Sequence, residues 1–364
     1  DLINDPDYLG VRQKRLRGDE YLKFFDQFVD AVKARWPNAV IQWEDLSKDS
    51  AFMVLERYRD VLPSFNDDIQ GTGAVALAGV LSACSLKKES IADQTVVIHG
   101  AGAGGVGVAW AIRRGLERAG LSPAEAKKRV LVLDSGGLLV KGRSRMEEYK
   151  HDYAQDPADI AGWTFTGEAP ELLETVRQSK ATVLLGLSGR PKAFDEEIIR
   201  AMAANCERPV VFPLSNPTSS CEAEPVDIFH WSDGRSIVAT GSPFEPVAMD
   251  GVTHPIGQGN NAFIFPGLGF GAILSDAKSI TDNMVMAASE ALAKYTIGRY
   301  VEGGLIYPPV SDLRQTSPIV AEAVIRQAIA DGVAMRTDIP DDVKGFVQER
   351  SWKAEYQPFV RGAR

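Results

Sequence analysis

The chain has 364 residues, 45% hydrophobic and 24% charged, which is enough for two or three domains with a well-buried core and is the balance of an ordinary soluble globular protein. Its formal net charge of -9 disfavours a nucleic-acid partner, because phosphates need a basic patch, but local charge can still hold a small anionic substrate. No apolar run approaches the ~20 residues of a membrane span and no signal peptide is visible, so no membrane partner is expected. Cys84, Cys206 and Cys221 form no C-x-x-C pair, and their odd number argues against a disulfide framework. A reducing cytoplasm, or an organelle matrix, is the expected home.

The chain opens at Asp1 and runs quickly into an amphipathic helix, and it reads as a sequence joined partway through. Apolar residues at Tyr21, Phe24, Phe25, Phe28, Val29 and Val32 have helical spacing, with Asp19 as an acidic N-cap candidate. Residues 39–43 read as a strand ending at Glu44-Asp45, and 50–62 as a helix stopped by Pro63. Residues 65–72 read as a polar turn, and the Ala-, Gly- and Val-rich stretch 73–83 as a closely packed helix. Short apolar strands then alternate with helices. The strands fall at 95–98, 130–133, 181–185, 209–212 and 236–240, and the helices at 106–119, 170–179 and 196–204. That alternation indicates an α/β fold with a parallel sheet covered on both faces. From Ala262 onward the pattern is helical again, without internal repeats.

The strand at 95–98 leads into His99-Gly100-Ala101-Gly102-Ala103-Gly104-Gly105-Val106-Gly107. Gly100, Gly102 and Gly105 fit G-x-G-x-x-G between a strand and a helix, which is the setting that gives the motif meaning. Gly100 permits the tight turn, Gly102 lets backbone approach a pyrophosphate, and Gly105 lets helix and strand sit close. Ala101 and Val106 belong to the same turn, whose helix N-terminus offers N–H groups to phosphates. A nicotinamide dinucleotide is the expected ligand. The acidic residue expected on the ribose is Asp134, farther along than the usual ~20 residues because 121–128 forms an inserted helical run. Asp134 favours NAD by repelling a 2′-phosphate. The small Ser135 and the downstream Lys150, if not merely solvated, would admit the phosphate of NADP, and the choice stays open. Arg143 is a further possible anion contact, or a plain surface arginine.

Glu44-Asp45 at a strand end and Asp67-Asp68 in the turn could be solvated surface acids. Both pairs read as loop residues beside apolar elements. Oxygen ligands from separate segments suit a hard ion, Mg²⁺ or Mn²⁺. His99, His151, His230 and His254 lack metal-ligand spacing, so zinc is not expected.

These residues closely resemble the malic enzymes of the larger eukaryotic and enterobacterial type. Ile41-Gln42-Trp43-Glu44-Asp45 and Phe65-Asn66-Asp67-Asp68-Ile69-Gln70-Gly71-Thr72 look like the family's carboxylate strings. Leu214-Ser215-Asn216-Pro217-Thr218, Thr240-Gly241-Ser242-Pro243-Phe244, the string from Gly257 to Gly267 and the Trp352, Glu355, Tyr356 tail are similar as well, so the likeness covers essentially the whole chain. The resemblance implies oxidative decarboxylation of L-malate to pyruvate and CO₂ by a homo-oligomer, dimer or tetramer, with reduction of NAD, or possibly NADP, and a required Mg²⁺ or Mn²⁺. It implies Glu44, Asp45 and Asp68 as metal ligands and Asp67 with Asp68 as catalytic carboxylates, Asp67 holding a lysine. It further implies Asn216, Asn260 and Asn261 on the substrate, with Asn216 also at the nicotinamide. Read alone, these asparagines are also ordinary turn formers. The family's general base (lysine), general acid (tyrosine) and malate-binding arginine come from a segment before the helix near Asp19. Neither Lys48 nor Tyr58 takes their place, so the chain alone is expected to bind NAD(P), and metal, with negligible malate turnover.

Two other functions fit parts of the pattern. A malolactic enzyme would release lactate and keep its NAD, and a non-catalytic dinucleotide-binding fragment would do neither. A metal-free Rossmann dehydrogenase of the amino-acid type is disfavoured by the carboxylate strings. The expected architecture is a Rossmann-type doubly wound sheet over 67–260 and a discontinuous metal and substrate domain from 1–66 and 261–330. A helical tail over 331–364 completes it.

Overall fold

The computed structural model describes residues 2–356 and 358–360. By internal contacts the chain divides into a short unit, Asp1–Val40, and a large one, Ile41–Arg364. In the short unit, helix α1 spans Gly18–Arg35. Its cap is Arg17, which makes no side-chain cap bond, so Asp19 sits in the first turn instead of capping it. Of the apolar stripe, Phe25 and Val29 are buried while Phe24 and Phe28 stay exposed.

The large unit opens with strand β1, Ile41–Trp43, then helix α2, Lys48–Tyr58, and strand β2, Ser64–Asn66. Helix α2 stops before Pro63; a short turn, not the proline, ends it. Strands β1 and β2 pair in parallel, Trp43 opposite Asn66, so the acids that follow each strand emerge at the same end. The expected polar turn is something else. After β2 the chain enters a π-helical turn, Asp67–Gly71, that runs straight into helix α3, Thr72–Lys87. Asn66 causes this locally: its Oδ1 accepts the Ile69 N–H at 2.9 Å, and its own N–H donates to Gln70 Oε1 at 3.0 Å. Within the 21 residues Asp67–Lys87 an 18-residue stretch reaches mean hydropathy 1.5, so the expectation that no apolar segment reaches span length needs correcting. It is 78% buried inside the protein and serves as a core helix.

Next come β3 (Val96–His99), α4 (Ala103–Arg118), α5 (Pro123–Arg129), β4 (Val130–Asp134) and β5 (Gly137–Leu138). Helix α5 is the inserted helical run, opened by a Ser122–Glu125 capping box with Pro123 at its first position. Then follow α6 (Leu172–Ser179), β6 (Val183–Gly186), α7 (Glu196–Asn205), β7 (Val210–Pro213), α8 (Pro225–Trp231) and β8 (Ile237–Thr240). A small antiparallel pair, β9 (Val247–Met249) and β10 (Val252–His254), precedes β11, Gly257–Gln258.

The main sheet has seven strands in the order β11-β8-β7-β6-β3-β4-β5, parallel except for β4 with β5. Its strands are apolar on both faces because helices cover both. On one face Val97, Leu184 and Val211 pack with Val176, Phe194 and Ile198 from the α6 and α7 side. From β3 the chain passes first to β4 on one side and later to β6 on the other, so β3 and β6 flank the switch point where ligands bind in such sheets. Helices α9 (Phe265–Ser275), α10 (Asp282–Ile297) and α11 (Leu313–Ala330) follow. Of the expected helical tail, the described residues show α12, Val343–Arg350, packed on α9 and α11 through Val343, Phe346 and Val347. Beyond it, residues 352–356 and 358–360 are not helical.

Candidate active site

Gly100 has φ +120°, and a Cβ there would lie 2.3 Å from Leu187 O, so only glycine makes this turn. A Cβ on Gly105 would lie 1.7 Å from Gly100 O, which is the close approach of helix to turn. Gly102 is different: nothing lies within 4 Å of its Cβ position, which leaves open space at the start of α4. Gly100, Ala101, Gly102, Asp134 and Ser135 line a cleft of about 1130 Å³. Gly105 and Val106 do not; they are buried in α4, and the Val106 N–H is already bonded to Gly102 O at 3.0 Å. Val106 is therefore corrected to a packing residue, and the free helix donors are those before it.

Asp134 ends β4. Its Oδ2 accepts from Arg143 at 2.7 Å and Lys150 at 2.8 Å, and its Oδ1 accepts the Gly136 N–H at 2.8 Å. Both cations are deeply buried, with side chains 4% and 6% exposed, so neither a solvated Lys150 nor a surface Arg143 holds. Burial pushes the Asp134 carboxyl up, but Arg143, Lys150 and the Gly136 N–H outweigh it and bring it to about 2. Glu147 extends this network by joining Lys150 at 2.6 Å to Lys48 at 2.5 Å. Lys48 thus lines the same cleft, while Tyr58 is buried with its ring 5.7 Å from Trp43.

The carboxylates lie beside this cradle. Ile69, in the π-turn, packs with Ala51 and Leu55 of α2 and with Ala103 of α4. A Cβ on Gly107 would lie 2.1 Å from Ile69 O. Asp67 is not in a loop: it is buried, and its Oδ2 accepts from Asn261 Nδ2 at 2.9 Å while its Oδ1 has no partner. Burial raises its carboxyl to about 6; the Asn261 hydrogen bond works against this, and Glu44 and Asp68 add to it. Asp68 is raised by burial, then by Glu44 and Asp45. Asp45 has φ +71°, a left-handed turn that aspartate tolerates, and its N–H donates to Asp68 Oδ2 at 2.9 Å. Glu44 is exposed and takes a hydrogen bond from Gln42.

Among the described residues no three histidine, cysteine, aspartate or glutamate side chains converge as a ready metal site. The donor set nevertheless suits a hard divalent cation. Glu44 and Asp45 both bear on the raised Asp68 carboxyl, next to an orphaned buried oxygen on Asp67, and a cation would relieve both. Glu44 would have to leave Gln42 to join.

Asn261 is a second-row holder: besides Asp67 it donates to Thr72 Oγ1 at 3.0 Å. Asn260 caps the short 3-10 helix Asn261–Phe263 by accepting the Ala262 N–H, so its side chain performs the turn role. Asn216 is exposed after β7, joined to Pro217 by a cis bond, and lies outside the residues lining the cleft. Sequence reasoning missed Lys48, Glu147, Ser188 and Arg190 on the cleft. The last two follow β6, and their position at a strand end beside the switch point was the available signal.

A doubly wound sheet with a glycine cradle at its switch point, flanked by a buried acid turn, defines a dinucleotide-binding α/β protein. The family model described as the NAD-binding domain of malic enzyme matches residues 69–329, and that of the malic enzyme N-terminal domain matches 1–59. The chain belongs to the malic enzyme family. It is 43% identical over 362 residues to the NAD-dependent malic enzyme of Shewanella pealeana, covering 100% of this chain and 64% of that protein. Against the NAD-dependent malic enzyme of Pseudomonas aeruginosa strain PAO1 it is 43% identical over 363 residues, covering 99% and 64%. The chain therefore spans 64% of the length of these curated relatives. The Entamoeba histolytica malic enzyme crystal structure matches with TM-score 0.74 and 29% identity, over 93% of this chain and 64% of that one. The malic enzyme from Pyrococcus horikoshii matches with TM-score 0.68 and 29% identity, over 89% and 69%.

Proposed function

We propose that the protein oxidatively decarboxylates L-malate to pyruvate and CO₂, with NAD as hydride acceptor and a divalent metal. The observation that carries this reading is the direct packing of the acid turn Asp67–Gly71 against the first turns of α4, where a dinucleotide diphosphate would bind. Two substrates of one reaction need their sites to adjoin.

The backbone of Gly100 and Gly102 gives close access to the diphosphate, and the unpaired N–H groups at the start of α4 donate to it with the helix dipole behind them. Asp134, kept ionised by Arg143 and Lys150, accepts the adenosine ribose hydroxyls. Bound NAD would supply the acceptor for the hydride leaving C2 of malate, and the loops after β6 and β7 would hold its nicotinamide half. Glu44, Asp45 and Asp68 would hold Mg²⁺ or Mn²⁺, which supplies Lewis-acid polarisation of the substrate oxygens and stabilises the charge left as CO₂ departs. Asn261 fixes Asp67 by one oxygen and leaves the other to accept a hydrogen bond at the reacting centre. Asn216, exposed beside Ser215 outside the cleft lining, is assigned to the substrate and the nicotinamide end, and Asn260 to the substrate through its Nδ2, since its Oδ1 caps the turn.

In this reading residues 67–260 form the dinucleotide domain, while 1–66 and 261–330 supply metal and substrate groups. A cytoplasmic homo-oligomer is part of it, in keeping with three free cysteines. Product analysis with L-malate, Mn²⁺ and NAD tests the reading: whatever malate is turned over, which is expected to be little by this chain alone, should give pyruvate and NADH in equal amounts. Lactate without net NADH would replace it with malolactic chemistry, and turnover indifferent to Mn²⁺ would remove the metal assignment.

A further inference from the structure

One carboxylate outside the acid turn is completely buried, with no lysine or arginine paired to it among the described residues. Glu222 lies between β7 and α8 and is 0% exposed. A charge taken out of water persists only where hydrogen bonds replace the lost solvent. Among the described residues no lysine or arginine pairs with Glu222, and its donors are all uncharged. Its Oε1 accepts the Ser188 N–H and the Ser188 Oγ–H, both at 2.9 Å, and the Ser215 Oγ–H at 2.5 Å. Its Oε2 accepts the Ser215 N–H at 3.3 Å. Ser215 Oγ in turn accepts the Gly189 N–H at 2.9 Å.

These serines stand on different loops, Ser188 after β6 and Ser215 after β7. Glu222 therefore ties together two strand-end loops on the side of β3 away from β4. That side of a doubly wound sheet receives the nicotinamide half of a dinucleotide, while the adenosine half lies toward β4 and Asp134. The tie reaches the cradle, because Ser188 N lies 2.7 Å from where a Gly100 Cβ would be and Leu187 O lies 2.3 Å from it. It reaches Asn216 too, the residue after Ser215. The fit is close: a Cβ on Gly186, the last residue of β6, would stand 2.5 Å from Glu222 Cδ.

We propose that Glu222 is a positioning residue for the nicotinamide half of the bound dinucleotide, holding the Ser188 loop and the Ser215-Asn216 loop at a fixed spacing without touching the cofactor. The proposal rests on the dinucleotide reading above. Glu222→Gln keeps the shape, but its NH₂ must face either the Ser215 N–H or the three donors at the other oxygen, so a donor meets a donor.

The test is calorimetric titration with NAD and, separately, with ADP, which carries only the adenosine and diphosphate half. Glu222→Gln should lower NAD affinity about tenfold, as expected for loss of a charge-assisted hydrogen bond, and leave ADP affinity within about twofold. Ser215→Ala keeps the carboxylate and removes the shared hydroxyl. It should show the same selective loss, and it carries the test if Glu222→Gln does not fold. A merely structural role would weaken NAD and ADP equally, and that result, or unchanged NAD affinity in a folded variant, overturns the proposal. Failure of the folded, unsubstituted protein to bind NAD would overturn the dinucleotide reading itself, and this proposal with it.

Discussion

Asp134 depends on two cations, 9 and 16 residues further along the chain, that the fold brings into contact with it. Arg143 and Lys150 both reach its Oδ2, and all three side chains are largely out of water. Removing the acid leaves two buried cations without their carboxylate, so Asp134→Asn should destabilise the protein by about 3 kcal/mol in urea unfolding. The pH dependence has a definite sign. The folded carboxyl is depressed from 3.8 to about 2, with burial opposing and the two cations and the Gly136 N–H dominating. Its stabilisation is therefore complete above pH 3.8 and is lost as pH falls toward about 2. Unfolding followed by circular dichroism across that window should show a steeper acid loss in the unsubstituted protein than in Asp134→Asn. Parallel curves would mean the ion triad is not formed as described. Asp134 as a strand-end acid is legible in the sequence. The burial of Arg143 and Lys150 is not, because it depends on how the segment after β5 folds back over β4.

At the scale of elements, the glycines of α4 divide by what stands opposite them. Gly107 faces backbone: its Cβ position is 2.1 Å from Ile69 O, on the turn that carries Asp67 and Asp68. Gly102 faces nothing within 4 Å and has φ −78°, ordinary for any residue. Gly107→Ala should thus push the acid turn off the helix and cost roughly 1–3 kcal/mol in thermal unfolding, weakening NAD and Mn²⁺ binding together. Gly102→Ala should melt like the parent yet bind NAD more weakly, because its methyl fills the open space where the diphosphate is proposed to lie. Equal stability of the two variants would contradict the packing of α4 on the acid turn. The sheet and its helices are readable because buried parallel strands are continuous apolar runs and glycines mark the turns. The acid turn is not readable as helix. Its polar residues look like a loop until Asn66 and Gln70 satisfy the backbone and Asn261, distant in sequence, takes up Asp67. Glu222 is hidden for the same reason, since its donors come from two other loops.

At the scale of the molecule, the dinucleotide cradle and the acid corner belong to one compact unit, Ile41–Arg364. Ligands that bind only the folded state stabilise it by mass action, about 2.7 kcal/mol at a hundredfold excess over Kd. Within one cooperative unit, NAD and Mn²⁺ should each raise the same thermal transition instead of splitting it. The two shifts should be genetically separable. Asp68→Asn removes a proposed ligand from the like-charged corner, so it should abolish the Mn²⁺ shift and leave most of the NAD shift. Asp134→Asn should do the reverse, since in the proposed reading its carboxylate holds the adenosine ribose. Differential scanning fluorimetry on the parent and both variants, with each ligand and with both, reads all the combinations. If Asp68→Asn keeps its full Mn²⁺ shift, the metal does not sit at Glu44, Asp45 and Asp68. If the two ligands move separate transitions, acid corner and cradle do not fold as one body, and the adjacency on which malate oxidation is proposed loses its physical basis.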